Sequence, residues 1–400
     1  MHILESYARR AETAGEPVFT PVAAAVKAPV SRRFVLTALG GVGVGLVLGL
    51  PGAAEAASGG AMPAEASFNP FVRVAPDGTV TVIVKHLDKG QGIATGLATL
   101  VADEMDADWT KVTTEFAPAN PKIYGNALFG GAQGTGGSTS IAASYNLYRE
   151  AGAAARAMLV AAAAKAWGVK PEEVSVAKGV VSAGGKSAGF GELAEAAAKV
   201  PVPLIVTVKD PKAFTLMGKE GVHRVDDVMK TEGAGIYTQD VKLPGMLVAV
   251  LARPPRFGGK VKRFDASETR KVKGVVDVLQ VPQGVAVLAT STWPAIKGRE
   301  ALKVEWDDRD AETRGTAEML EAYRAAFGKP GLKVEEAGDV AVALKAPGAK
   351  VVEVNLEPTD VAHAAMETMN AVAEVKDGAV TIWTGCQFPA ADVPNAAHTA

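Results

Sequence analysis

The spacing of apolar residues predicts a succession of short strands and helices after residue 67. Strands are predicted where apolar positions alternate with polar ones or form short valine-containing runs, at residues 71–86 (a hairpin), 111–116, 172–183 (a pair), 246–251, 275–281, 284–289 and 302–306. Helices are predicted at residues 94–106, 139–167, 190–198, 295–301 and 316–327. The second helix is long and alanine-rich, with Ser138 as its N-cap. Residues 350–355 and 371–383 are predicted to begin a further unit, and the mixture predicts an α+β fold.

Length and composition narrow the class of protein. A chain of 400 residues is too long for one ordinary core and predicts two or three domains, with a proline-marked boundary at residues 201–211. The content of 48% hydrophobic and 22% charged residues is typical of a globular protein. The net charge of −2 provides no general attraction for polyanions. We therefore expect no nucleic-acid partner.

The amino terminus carries the pattern of an export signal. Arg32-Arg33 forms a twin-arginine signature, an apolar stretch follows to Leu50, and Ala54-Glu55-Ala56 is a small-residue cleavage pattern. Residues 1–56 are therefore predicted to direct twin-arginine export to the periplasm, with no stable membrane insertion afterwards. The alternative is an uncleaved membrane anchor, for which the apolar stretch is slightly short.

Cysteine usage limits the redox chemistry that the chain can perform alone. Cys386 is the only cysteine, so an internal disulfide framework, a cysteine-ligated iron–sulfur cluster and a structural zinc site are excluded. Redox chemistry would need a cofactor held by other atoms, or a partner chain.

Two glycine-rich turns precede predicted helices and are the strongest candidates for ligand binding. The first glycine loop, residues 89–96, contains Gly90, Gln91 and Gly92, and the second, residues 130–140, contains Gln133, Gly134, Thr135, Gly136 and Gly137. Glycines let a backbone approach a ligand closely, and the start of a helix presents unpaired N–H groups to an anion. We predict that both loops contact one phosphate-bearing ligand. An ordinary tight turn and a flexible linker are the respective alternatives.

Residues 363–367 and 383–387 form a third group with polar side chains. His363 and Glu367 have the spacing of zinc ligands on one helix face, but no third ligand is evident. Cys386 lacks a recognisable base for a nucleophilic role. Both segments are therefore predicted to shape a pocket wall, with Gln387 near its centre and no metal held by protein side chains.

Taken together, these segments resemble the xanthine dehydrogenase/aldehyde oxidase family, and within it the isoquinoline 1-oxidoreductase-like large subunits. The likeness covers roughly residues 68–400. It rests on both glycine loops with the helix through Asp103–Trp109, on residues 233–247 with Arg253-Pro254-Pro255, 258–261 and 302–306, and on 363–370 with 383–387. In the last of these the family often has proline where this chain has Ala365 and Thr368, so the match there is looser.

The resemblance implies a fold and a domain order. Molybdopterin-binding α/β segments at residues 68–205 and 350–400 would flank an α/β-hammerhead domain at 218–307. The family's carboxy-terminal Gly-x-Gly-Glu segment with its catalytic glutamate is not found before Ala400. We therefore expect the second molybdopterin segment to be truncated and the chain alone to be incomplete, and no residue is assigned as the catalytic base.

The resemblance also implies a function. The chain would be the molybdopterin-binding subunit of a molybdenum hydroxylase that oxidises an N-heteroaromatic or aldehyde substrate with water as the oxygen source. It would hold a molybdopterin dinucleotide carrying molybdenum, contacted by both glycine loops and Gln387. Electrons would leave through a [2Fe-2S] centre on a separate small iron–sulfur subunit.

Two other functions stay open at this point. A Rossmann-type dinucleotide-dependent dehydrogenase would use Gly90, Gly92 and Gly96 after a strand, with Glu115 at the ribose, although no repeated βαβ units follow. A non-catalytic remnant that folds and binds a partner is the other alternative.

Overall fold

The computed structural model describes residues 66–399, so the predicted export signal at residues 1–56 lies outside it. The described part of the chain divides into two compact units, one of residues 66–243 with 370–399 and the other of residues 244–369. Within residues 66–399 no helix is long and apolar enough to cross a membrane.

Helices and strands are mixed in both units, which confirms the α+β class. The strands are β1 Ala66–Asn69, β2 Val72–Val74, β3 Val80–Val84, β4 Val112–Phe116, β5 Ser175–Ala177, β6 Val180–Ala183, β7 Lys186–Gly189, β8 Val248–Ala252, β9 Lys260–Asp265, β10 Val275–Val281, β11 Gly284–Ala289, β12 Lys303–Asp307, β13 Val372–Lys376 and β14 Ala379–Trp383. The helices are α1 Ile93–Met105, α2 Pro121–Tyr124, α3 Thr139–Ala142, α4 Tyr145–Trp167, α5 Phe190–Ala198, α6 Asp227–Thr231, α7 Thr292–Ala301, α8 Thr316–Ala326, α9 Val340–Leu344 and α10 Pro389–Thr399.

A four-stranded sheet in the order β1-β2-β3-β4 organises the first unit. The first three strands are antiparallel neighbours, which confirms the predicted hairpin, whereas β4 runs parallel to β3 with Val80 opposite Val112. The helix α1 makes the crossover that a parallel pair requires. All five residues of β3 are buried. Because β3 is buried along its whole length, its position is fixed. The point at which the following residues emerge from the core is therefore fixed as well.

Helices α1 and α4 pack against each other beside this sheet. Leu97 and Met105 of α1 and Tyr148 and Met158 of α4 are almost completely buried in a shared core. The two backbones approach closely at Gly152, where a Cβ would lie 2.7 Å from the carbonyl oxygen of Val101. The small residues of α4 therefore permit this close helix packing.

The prediction of one continuous helix over residues 139–167 is wrong. The chain forms the four-residue α3 and then α4 from Tyr145, and Ser138 makes no side-chain capping bond. Ser138 has left-handed dihedrals (φ 55°, ψ 26°), whereas an N-cap residue is usually extended. Ser144 interrupts the helix and is fully buried.

The second unit contains two small antiparallel sheets, β10-β11-β8 and β12-β9. Val278, Val285 and Val287 form its small core together with Ala266. Strand β9 was not predicted because its sequence is mostly charged and polar. Residues 350–355 form no regular secondary structure. In the first unit, the predicted strand pair at 172–183 gains a third strand, β7, in an antiparallel meander.

Candidate functional site

The segment between β3 and the first glycine loop contacts the second glycine loop. Leu87, three residues beyond the strand, donates its backbone N–H to the Thr135 hydroxyl at 2.9 Å. His86 contacts the carbonyl oxygen of Gly134 through Nδ1 at 3.3 Å. Positions 48 residues apart in sequence are therefore adjacent, and the second glycine loop lies beside the segment that leads into the first.

The first glycine loop is closed by an internal carboxylate. Asp88 accepts hydrogen bonds from the backbone N–H groups of Gly90 at 2.8 Å, Gly92 at 3.3 Å and Ala94 at 3.0 Å. The Asp88 side chain therefore satisfies three of the N–H groups that were expected from the sequence to be open to an anion at this helix start. An Asp two residues before a glycine turn is itself a capping pattern, and this signal in the sequence could have revealed the closed loop.

The side chain of Gln91 is also used inside the first glycine loop. Its Oε1 accepts from the Lys89 N–H and its Nε2 donates to the Leu87 carbonyl, both at 2.7 Å. Arg224 braces the loop from outside, donating from Nη1 to the Gly90 carbonyl at 3.0 Å and lying 3.7 Å from Asp88. The first glycine loop is thus a self-bonded turn rather than an open cradle.

Part of the second glycine loop is also structural. The Gln133 side chain is buried, accepting from the Asn120 N–H at 2.7 Å and donating to the Pro118 carbonyl at 3.0 Å. Gly134 leaves room for an aromatic ring, since a Cβ there would lie 2.5 Å from Phe388. These two residues hold the loop in place and leave ligand contact to those that follow.

The open part of the second glycine loop is residues 136–138. Within the described part of the chain, no acceptor meets the backbone N–H groups of Gly136, Gly137 or Ser138. Gly137 and Ser138 are solvent-exposed and Gly136 is half-buried. Gly137 and Ser138 lie in a turn with positive φ, and successive backbone N–H groups in turns can form anion-binding concavities. This donor set fits a phosphate or pyrophosphate group, so the residues present are compatible with the implied cofactor.

Gln387 lies beside this open part. Its carbonyl oxygen accepts the Thr135 N–H at 2.9 Å, and its Nε2 is 3.7 Å from the position of a Cβ on Gly136. The neighbouring Phe388 stacks on Phe129 with ring centroids 5.3 Å apart. The residues before α10 therefore add a side-chain amide and an aromatic wall to the second glycine loop.

His86 is a buried titratable group beside the second glycine loop, and no sequence pattern pointed to it. Its side chain is fully buried, and Nε2 lies 3.0 Å from the Ser144 hydroxyl. Burial, together with the charge of Lys85, lowers the pKa of His86 from 6.5 to about 4, against the opposing effect of the Gly134 contact. The ring is neutral at pH 7. Because a carbonyl oxygen can only accept, Nδ1 carries the proton and Nε2 accepts from Ser144.

The remaining candidates do not assemble a second reactive site. Burial and the contact of Sγ with Asp392 at 3.1 Å raise the pKa of the Cys386 thiol, so Cys386 is a poor nucleophile. His363 and Glu367 do not lie on a helix, which removes the geometric basis of the zinc alternative. Within residues 66–399 no group of three His, Cys, Asp or Glu side chains is arranged to bind a metal ion.

Glu115, the ribose ligand of the dehydrogenase alternative, pairs with Arg73 across the sheet. Its carboxylate is therefore engaged on the strand rather than directed towards a nucleotide. The parallel β3–α1–β4 crossover is present, but the sheet contains no second parallel pair among the described strands.

Comparison with known families agrees with the glycine-loop pattern. Residues 32–228 match the family described as "Molybdopterin cofactor-binding domain". This range contains both glycine loops, α1 and α4.

Three relatives align with most of this chain. The membrane-bound aldehyde dehydrogenase (pyrroloquinoline-quinone) of Gluconacetobacter polyoxogenes is 34% identical over 93% of this chain and 50% of its own length. The beta subunit of isoquinoline 1-oxidoreductase from Brevundimonas diminuta is 29% identical over 90% of this chain and 52% of its own length. A nicotinate dehydrogenase subunit from Pseudomonas putida is 28% identical over 80% of this chain and 27% of its own length.

The chain spans about half the length of the first two relatives. None of the three relatives is named as a nicotinamide-dependent dehydrogenase, and the family match is to a molybdopterin domain. The family match and the relatives confirm the predicted resemblance: residues 32–228 match a molybdopterin cofactor-binding domain, and the chain is similar to large subunits of the xanthine dehydrogenase/aldehyde oxidase family.

Proposed function

We propose that this chain binds a molybdopterin dinucleotide as part of a molybdenum hydroxylase. The observation that supports it best is the set of unpaired backbone N–H groups at Gly136, Gly137 and Ser138, next to Gln387. Phosphate oxygens are strong acceptors for such groups. Gln133, Gly134 and Thr135 hold this surface in position, and Gly90, Gln91 and Gly92 of the first glycine loop would contact the cofactor from a second side.

The bound molybdenum group would supply the chemistry, hydroxylating a carbon of an aldehyde or N-heteroaromatic substrate with oxygen from water. The contribution of this chain is binding and orientation. The second glycine loop holds the anionic part of the cofactor, the amide of Gln387 offers a donor and an acceptor, and Phe388 on Phe129 gives that side an apolar boundary. A catalytic base is not assigned to any residue of this chain.

The complete enzyme would need a partner for its electrons. Cys386 is the sole cysteine of these 400 residues, so we place the [2Fe-2S] centre on a separate small subunit. Two of the relatives are themselves named as subunits. The twin-arginine pattern at Arg32-Arg33 supports export to the periplasm after the cofactor is inserted. Replacing both arginines with lysine is expected to leave the chain in the cytoplasmic fraction.

The domain order is proposed on the same basis. Residues 68–205 would form the first molybdopterin-binding segment, 218–307 the α/β-hammerhead domain and 350–400 the start of the second segment. The antiparallel sheets of the second unit, with α7 between β11 and β12 in sequence, are compatible with a hammerhead.

Cofactor analysis of the purified chain tests the proposal. Molybdenum measured by elemental mass spectrometry, with an oxidised pterin detected by fluorescence after acid release, would support it. Pyrroloquinoline quinone or nicotinamide nucleotide in place of molybdenum would contradict it. Absence of any cofactor from the chain, purified together with a small iron–sulfur subunit, would favour the non-catalytic alternative.

A matched pair of substitutions tests the role of the second glycine loop. A Cβ at Gly136 would meet only ordinary contacts, the shortest at 3.6 Å, so both Gly136→Asp and Gly136→Asn are expected to fold. The aspartate places a negative charge beside the N–H groups and should lower the molybdenum content about tenfold through charge repulsion. The asparagine has the same size without the charge and should retain most of it. Equal molybdenum content in the two variants would argue against anion binding at this loop.

A further inference from the structure

Three consecutive residues beyond β3 hold the second glycine loop and the turn before it. Lys85 donates from Nζ to the Gly125 carbonyl at 3.0 Å, and Leu87 donates its backbone N–H to Thr135 at 2.9 Å. Gly125 in turn lies so close to Gly131 that a Cβ on Gly125 would overlap the Gly131 carbonyl oxygen. The segment from Gly125 to Thr135 is therefore tied to the end of a fully buried strand.

His86, the middle residue, makes two contacts that bracket the open part of the loop. Its Nδ1 meets the Gly134 carbonyl at 3.3 Å and its Nε2 meets the Ser144 hydroxyl at 3.0 Å. Gly134 precedes residues 136–138, and Ser144 follows them at the break between α3 and α4. One fully buried imidazole thus fixes both ends of the segment that carries the unpaired N–H groups.

We propose that residues 85–87 form an anchor that shapes the second glycine loop before a ligand binds, with His86 as its positioning residue. This inference rests on the proposed function, because the ligand is the anionic part of the molybdopterin cofactor. His86 does not touch that group. It acts by holding Gly134 and Ser144 at a fixed separation. The N–H groups of residues 136–138 are then already oriented before the ligand binds, and binding carries no further entropy cost for ordering them.

The imidazole can be replaced by groups that keep or lose these contacts. In His86→Gln the side-chain NH₂ can donate to Gly134 and the carbonyl can accept from Ser144, as the imidazole does. In His86→Leu both bonds are lost, and the Gly134 carbonyl and Ser144 hydroxyl are left buried without their partner. The glutamine variant should therefore preserve the two bonds, and the leucine variant should remove them.

Tyr148 provides a matched control for general destabilisation. Its hydroxyl donates to the Ile83 carbonyl at 2.7 Å and accepts from the Lys85 N–H at 2.9 Å. Its side chain is fully buried at the same strand end, and both of these bonds go to the strand rather than to the second glycine loop. The substitution Tyr148→Phe therefore removes one bond to β3 and one to the backbone of Lys85. It leaves in place the bonds from His86 to Gly134 and Ser144 and the bond from the Lys85 side chain to Gly125, so it controls for general destabilisation of the His86 variants.

Two measurements on the full chain test the anchor. Hydrogen exchange of the amides in residues 134–144, without any cofactor, should accelerate at least about tenfold in His86→Leu and stay near the wild-type rate in His86→Gln and Tyr148→Phe. Molybdenum content should be reduced in His86→Leu and should stay near the wild-type level in His86→Gln and Tyr148→Phe. Equal loop exchange in all four proteins, or undiminished molybdenum in a His86→Leu chain, would overturn the anchor. Wild-type protein free of molybdenum but with the expected exchange pattern would overturn the proposed function instead, and with it the cofactor role of the anchor.

Discussion

At the scale of single residues, the buried imidazole of His86 links structure to solution conditions. Its pKa falls from an ordinary value of 6.5 to about 4 in the folded chain, mainly because burial disfavours the charged ring and secondarily because Lys85 is near. Protons are therefore taken up by the unfolded chain at a higher pH than by the folded chain. The stability that depends on a neutral His86 is complete above about pH 6.5 and is lost as the pH falls towards 4.

We predict a loss of unfolding free energy of about 3 kcal/mol between pH 6.5 and pH 4 from this group alone. Urea unfolding at several pH values measures it, and His86→Gln is the control because it keeps the bonds but does not titrate. The difference between the two profiles isolates His86 from carboxylates such as Asp103. Burial alone raises the pKa of Asp103, but hydrogen bonds from Met217, Thr215 and Leu216 outweigh that effect and lower it. Parallel profiles for wild type and His86→Gln would contradict the prediction.

At the scale of elements, helix starts in this chain depend on side chains that differ from those predicted. Asp88 satisfies three N–H groups at the start of α1, whereas Ser138 satisfies none at the start of α3. A cap residue contributes to stability only when its oxygen accepts those bonds.

Alanine substitutions at Asp88 and at Ser138 should therefore lower the unfolding free energy by different amounts. Asp88→Ala is expected to lower the unfolding free energy by about 1–2 kcal/mol through loss of the cap. Ser138→Ala should change it by less than about 0.5 kcal/mol because no capping bond is lost. Chemical denaturation measures both. A cost for Ser138→Ala as large as that for Asp88→Ala would show that Ser138 does act as a cap.

The elements that sequence predicted best are those whose apolar pattern is local. Strands β10 and β11 and helix α5 have the predicted bounds, because valine-rich alternation and an amphipathic run each specify their own element. The long helix failed because the break at Ser144 depends on His86, 58 residues earlier in the chain. Strand β9 failed because its pairing with β12, rather than its own composition, makes it a strand.

The candidate site was likewise predicted only in part from the sequence. Glycine spacing located both loops, and Gln387 lies beside the second of them. Sequence could not show that Asp88 fills the first loop or that Gln133 faces the protein interior. Both outcomes depend on which hydrogen-bond partners the folded backbone brings within reach.

At the scale of the whole molecule, stability is unevenly distributed along the chain. Unit 1 contains a large buried core, whereas residues 328–365 of unit 2 are all exposed and contain only the five-residue α9 as regular structure. Large apolar side chains are among those exposed residues, including Leu332 at 92% and Val352 at 84% exposure. Backbone with few buried contacts opens at little cost in free energy.

We therefore predict that, within residues 66–399, limited proteolysis cuts first at residues 328–369. Trypsin has exposed sites there at Lys333, Lys345 and Lys350, and cleavage at these positions should be at least about tenfold faster than at Lys165, which is exposed but lies in α4. Mass spectrometry of early fragments identifies the order of cuts. Lys165 is a suitable internal control because cleavage there requires α4 to unfold, and with it much of the core around Tyr148. Early cuts at Lys165 would mean that the core of unit 1 opens as readily as the exposed segment, contrary to the burial of its side chains.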